Sequence, residues 1–212
     1  MRQTIFILME LGLLFSCNSS GKTKVSAGTT PINQQTSPTG ADTSFYKNDS
    51  LELVKLLQDV YKWHDQNQRE LLDFDVVIKD SFQTGLNYKL FKRTFDAIKK
   101  SGYFSVSFLN NYKKIGEYIN DKLANANPKY SNEINFACQE ADPWTNFQDD
   151  APDFWNKLKI VDFKSSLDQA SLQWQTQIED WSSEKYAVKF VKENGKWKVS
   201  YMDGFDMNKY YQ

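Results

Sequence analysis

A single histidine, two cysteines and one run of carboxylates are where chemistry must be sought first in this 212-residue sequence. His64 and Asp65 form a candidate acid–base pair. Neighbours on a helix point about 100° apart, so the two cannot simply act together. His64 falls near the end of a helical stretch, where an imidazolium is favoured, and a structural or capping role is the preferred reading. Cys138 as a nucleophile would need His64 as its base; a small buried residue is preferred. Glu140, Asp142, Asp149, Asp150 and Asp153 form an acidic loop whose oxygens could hold calcium. Their spacing departs from an EF-hand and no glycine lies among them, so a solvated acidic surface is preferred. Trp144, Phe147, Phe154 and Trp155 lie in the same loop. Aromatics beside carboxylates can stack sugars, but they also pin long loops to a core, which is favoured here. There is no Gly-rich phosphate loop, no GxSxG elbow and no HExxH. One histidine and two cysteines exclude multi-histidine and cysteine-based metal centres, so neither metal nor cofactor is expected. Cations number 26 and anions 27, which argues against a nucleic-acid binder.

The other cysteine, Cys17, closes a different kind of segment. Arg2 precedes an apolar run over Ile5–Phe15, interrupted by Glu10. The run has the length of a signal-peptide core and is too short to span a bilayer. It ends in Leu14-Phe15-Ser16-Cys17, which resembles the lipobox of bacterial lipoproteins: an aliphatic residue three before the cysteine and a small residue one before it. The thiol would accept diacylglycerol after cleavage at the small residue. Two or more acyl chains, palmitate among them, anchor stably where one is marginal. Thr, Ser, Gly, Asn, Gln and Pro supply 20 of the 27 residues from Asn18 to Ser44. That composition predicts a disordered tether reaching about 30 Å. The expected organisation is a signal peptide over 1–16, a lipidated cysteine and tether over 17–44, and one domain over 45–212. No acidic cluster follows Cys17, which leans towards a periplasm-facing anchor.

Thirty of the 32 aromatics lie from Phe45 onward. Helix-period apolar residues predict three helices in that part. The first covers 50–64, with a capping box at Asp49 and Glu52 and a stripe of Leu53, Val54, Leu57, Val60, Tyr61 and His64. The second covers 86–100, with Leu86, Leu90, Phe91, Phe95 and Ile98 inward and Gly102 as its left-handed stop. The third starts at Ser105 and ends by Asn127-Pro128. Period two then takes over: strands are expected near 158–163, 172–178, 186–190 and 197–201. Asn194-Gly195 is a strong hairpin signal. A two-residue turn there pairs Glu193 with Lys196, Phe190 with Val199, and Val188 with Tyr201. Helices first and antiparallel strands last imply an α+β domain, with helices packed on one face of a curled antiparallel sheet.

Tyr61-Lys62-Trp63, Ser101-Gly102-Tyr103-Phe104-Ser105, Ala141-Asp142-Pro143-Trp144 and the hairpin Lys192-Glu193-Asn194-Gly195-Lys196-Trp197-Lys198-Val199 resemble an uncharacterised family of bacterial envelope lipoproteins. That family is a domain of unknown function grouped near the nuclear-transport-factor-two-like cone folds. The resemblance implies a cone-like sheet wrapped on helices and brings no catalytic residues. In a cone, Trp174, Tyr186, Phe190, Trp197 and Tyr201 would face inward and line any cavity; an ordinary aromatic core is the preferred alternative. The expectation is a lipid-anchored envelope protein, non-enzymatic, that binds a small apolar ligand, a glycan or a protein and no nucleic acid. The alternatives are an enzyme using isolated carboxylates in a cone cavity, and an immunity- or inhibitor-type interaction module.

Overall fold

No glycine or proline lies between Thr43 and Asn67, and nothing interrupts helix formation there. Helix α1 accordingly runs over Thr43–Asn67, one continuous element of 25 residues. It starts seven residues before the predicted boundary, so Asp49 lies within the helix rather than capping it. The Asp49 carboxylate instead stands 3.8 Å from Lys192 Nζ. The helix also takes in Thr43 and Ser44, which the sequence assigned to the tether. The computed structural model describes residues 43–68, 70–131, 141–147, 153–176 and 185–210, with only the helical backbone for 43–48. The expected signal peptide, Cys17 and the rest of the tether lie outside the described residues.

A strand pair follows that the sequence reading did not anticipate. Strand β1, Val76–Lys79, pairs antiparallel with β2, Phe82–Leu86, across Asp80-Ser81, both at positive φ (52° and 65°). Leu86 therefore ends a strand rather than beginning a helix. Asn87 accepts from the Leu90 N–H and caps α2, Tyr88–Ser101. That helix stops at Gly102, φ 75°, with Lys99 and Lys100 in its last turn, where cations suit the carbonyl end. Ser105 caps α3, Val106–Ala124, by accepting from the Phe108 N–H. Phe91 of α2 stacks on Tyr112 of α3 with centroids 5.6 Å apart. The helices approach closely because α3 carries Gly116, where a Cβ would stand 2.6 Å from the Phe91 ring.

Between Tyr103 and Ser105 the chain lies parallel against β6, Lys196–Met202. The Ser105 N–H donates to the Val199 carbonyl and the Val199 N–H to the Tyr103 carbonyl, both at 2.9 Å. The main sheet has the order β3-β4-β5-β6, all antiparallel, with β3 at Leu158–Ser165, β4 at Gln169–Thr176 and β5 at Tyr186–Glu193. It is an open sheet, with α1 and α3 against one face. The architecture is α+β, with helices packed on an antiparallel sheet.

The β5–β6 hairpin turns at Asn194-Gly195, both at positive φ, and pairs Glu193 with Lys196 and Phe190 with Val199, as the sequence implied. Beyond that point the register shifts by one residue between Lys189 and Phe190. Val188 then faces Met202, and Tyr201 faces Lys189. The expected inward position of Tyr201 is thus corrected. Met202 enters the core, fully buried, and Tyr201 turns outward beneath Lys189, whose ammonium sits 4.8 Å from its ring centroid. An extra residue on one strand is enough to exchange the two faces.

Candidate functional site

Segment 141–147 shows how the aromatic loop is used. Asp142 closes a tight turn: its carboxylate accepts from the Trp144 N–H at 2.9 Å and the Thr145 hydroxyl at 3.2 Å. Its carbonyl accepts from the Asn146 N–H, and its own N–H donates to the Phe147 carbonyl. Such side-chain-to-backbone bonding favours aspartate at turns. The turn drives Trp144 into the core, where it is 0% exposed. Phe154 and Trp155 are buried as well, and Phe147 packs half-buried against the core. The aromatics of this loop therefore pin it.

Around Trp144 the structure gathers residues that share no local signal. His64 of α1 lies flat on the indole, centroids 4.4 Å apart. Burial lowers its pKa to about 4, so near neutral pH it is an uncharged, packed ring. The indole N–H donates to Asp73 Oδ2 at 2.7 Å, and the Tyr112 hydroxyl donates to Asp73 Oδ1 at 2.6 Å. Burial raises the pKa of Asp73, against the opposing pull of those two hydrogen bonds. Both carboxylate oxygens are engaged, and the imidazole meets Trp144 by its face while Asp73 meets the edge. This arrangement fastens α1, α3 and the 141–147 turn to one another.

A second clamp sits beside it. The Tyr186 hydroxyl donates to the Pro143 carbonyl at 2.6 Å and accepts from the Gly204 N–H at 3.0 Å. The Tyr210 hydroxyl donates to the Gly204 carbonyl. Any Cβ on Gly204 would overlap the Pro143 carbonyl oxygen, so only glycine allows this approach.

The residues singled out in the sequence separate. Trp174, Tyr186, Phe190 and Trp197 face the helices, 1%, 3%, 2% and 4% exposed, and pack within the core. Asp142 is committed to its turn, and Asp153 is exposed at the start of a short 3-10 turn over Phe154–Lys157. Glu140, Asp149, Asp150 and Cys138 lie outside the described residues, as does Cys17. Among the described residues no group of three His, Cys, Asp or Glu side chains is placed to hold a metal.

Open space of another character lies at the sheet's polar face and its margin towards α3. A groove of about 740 Å³ is lined by five serines: Ser107 of α3, Ser165 and Ser166 at the end of β3, Ser171 of β4 and Ser200 of β6. Lys164 and Lys189 line it too. Its volume falls within the about 300–1,000 Å³ usual for small-molecule sites. Of the five aromatics expected to line a pocket, Phe190 alone contributes to this groove. Glu193, the carboxylate in its wall, accepts from the Val106 N–H at the start of α3. The alternation of Ser171, Gln173 and Gln175 with Leu172 and Trp174 marked this polar face in the sequence, but nothing there brought β3, β6 and α3 to it. Comparisons with protein-family models, with curated proteins and with solved structures found no match.

Proposed function

We propose that this is a lipid-anchored binding protein of the bacterial cell envelope, held to the membrane through Cys17 and non-enzymatic in its action. The groove at the polar face of the sheet is the observation that carries the binding part of this reading. It is open, of small-molecule size and lined by hydroxyls and ammonium groups. The lipobox-like tetrapeptide and the polar stretch behind it support the anchor. Among the described residues no helix is long and apolar enough to cross a membrane. Cys17→Ser should release the protein into the soluble fraction or stall its processing. Membrane partitioning unchanged in that variant, with the leader still cleaved, would overturn the anchor.

A second reading, an interaction module, draws on the β1–β2 hairpin. Val77, Ile78 and Phe82 are 44%, 56% and 41% exposed there. Exposed apolar residues gathered on one hairpin suit a protein surface better than a small ligand. Substituting Val77 and Ile78 by serine together and comparing the proteins cross-linked to the chain in intact cells would test it; an unchanged set removes this reading.

A further inference from the structure

Helix α2 carries its charge on one side. At 3.6 residues per turn, Lys89, Lys92, Arg93, Lys99 and Lys100 fall within an arc of about 120°, with Asp96 the one acid among them. All six are exposed, and the other side of the helix buries Phe91, Thr94 and Ile98. Lys92 pairs with Asp96, and Arg93 donates to the Glu70 carbonyl. Among the described residues no carboxylate pairs with Lys89, Lys99 or Lys100. One face of a 14-residue helix, about 21 Å long, thus holds a surplus of four positive charges in a chain whose net charge is −1.

This face adjoins exposed apolar side chains. Of the eight large hydrophobic residues exposed among the described residues, five lie between Leu72 and Tyr88. Their segment abuts the start of α2: Glu70 takes the Arg93 bond, and the Asn87 side chain donates to Asp75 at 3.0 Å. Val77 and Ile78 are successive on β1 and point to opposite faces, yet both are exposed, so this part of the hairpin is open on both sides. Phe82 and Tyr88 add exposed aromatic rings, and aromatic side chains of tyrosine type settle well at the level of lipid headgroups. Lys79 offsets the neighbouring Asp80 at the hairpin tip. An acidic polymer in water would match the cations and leave the apolar side chains unmatched. A bilayer with anionic headgroups matches both.

We propose that the exposed face of α2 and the β1–β2 hairpin together rest on an anionic bilayer, the membrane to which the chain is tied; the inference rests on the anchor proposed above. Each lysine near such a surface contributes about fivefold, so a surplus of four gives half-binding near about 1 mM accessible lipid. A contact that weak does not retain an untethered chain on membranes in a dilute lysate. A tether of 25 residues, Asn18 to Asp42, supplies an effective concentration of the same order, so the contact orients a domain that the lipid already holds.

The compact unit spans Gly40–Gln212, so removal of the leader leaves it whole. The test uses residues 17–212 with Cys17→Ser, which takes no lipid; its result is independent of the anchor, which is judged by fractionation of cells. The protein is sedimented at about 0.1 M salt with vesicles of phosphatidylcholine, alone or mixed with phosphatidylglycerol. Half should sediment with the mixed vesicles near about 1 mM accessible lipid, and almost none with phosphatidylcholine. Lys89→Glu with Lys99→Glu should weaken binding about twentyfold or more. Lys159→Glu with Lys196→Glu makes the same change in net charge on other elements, and should weaken it less than about threefold because distant charges are screened. Val77→Ser with Ile78→Ser should weaken it about fivefold or more. All these residues are exposed, and each pair should melt as the parent does. No sedimentation with the mixed vesicles up to about 10 mM lipid overturns the inference. Equal losses from the two charge-reversed pairs would leave net charge alone as the cause and overturn it. Retention on immobilised polyglutamate as tight as on the mixed vesicles, unaltered by the Val77 and Ile78 pair, would assign the face to an acidic protein and overturn the bilayer.

Discussion

Replacing His64 with phenylalanine should make this protein more tolerant of acid. In the fold the imidazole is 9% exposed and packed flat on Trp144, and burial lowers its pKa from 6.5 to about 4. In the unfolded chain it returns to about 6.5. Between those two values the unfolded state binds a proton that the folded state refuses. Stability is therefore full above about pH 6.5 and is lost as pH falls towards 4. Linkage puts the loss at about 2 kcal/mol by pH 5 and about 3 kcal/mol by pH 4. Phenylalanine keeps a flat ring against the indole and takes up no proton. Asp73 works in the opposite sense, since its pKa is raised by burial, but it is present in both proteins and drops out of their difference. The assay is urea denaturation followed by tryptophan fluorescence at several values between pH 7.5 and 4.5. Relative to its standing at pH 7.5, the variant should gain about 2 kcal/mol on the parent at pH 5. Two stability curves that stay parallel to within about 0.5 kcal/mol would refute the buried neutral imidazole.

Other substitutions probe the remaining joints. Met202→Ala should cost about 2–5 kcal/mol in the same denaturation assay and Tyr201→Phe under about 1.5 kcal/mol; the reverse order would restore the unshifted hairpin register. Gly204→Ala forces a methyl onto the Pro143 carbonyl and should lower stability by about 1–3 kcal/mol or more, with a loosened Trp144 seen as a red-shifted emission. Asp73→Asn sets an amide N–H against one of two donors, Tyr112 Oη or Trp144 Nε1, and should cost about 1–3 kcal/mol at pH 7. Because burial raises the pKa of Asp73, that deficit should widen as the pH is lowered towards about 4; a constant deficit would contradict it.

The parts of the fold that could be read from the chain are those with a local cause. Asn194-Gly195 accepts positive φ at two successive positions, so the hairpin and its first pairs followed. Gly102 and Ser105 ended and began helices for equally local reasons. The register shift beyond Phe190 was hidden because Trp197, Val199 and Tyr201 alternate without a break, and Met202 is also apolar. Strands β1 and β2 were missed because much of the pair faces solvent, and because Asp80-Ser81 makes a positive-φ turn without a glycine. The joint at Trp144 left no trace at all. Asp73 lies 71 residues from Trp144, in a stretch with no motif, and only packing brings them together. The groove is of the same kind: serines of β4, β6, α3 and the end of β3 become one lining when the sheet forms.

The double clamp on segment 141–147 also sets an order of events. Trp144 closes against His64 and Asp73, both earlier in the chain, and against Phe205, which is later. Pro143 is held through Tyr186 to Gly204, and Gly204 through Tyr210. A chain made from its N-terminus can form its helices early, but the centre of its core stays open until residue 210 is free of the machinery that makes or transports it. Contacts of such sequence separation are slow to form. Until then Trp63, Phe104 and Phe108 stand uncovered, so the half-made chain is the species that a holding chaperone would meet.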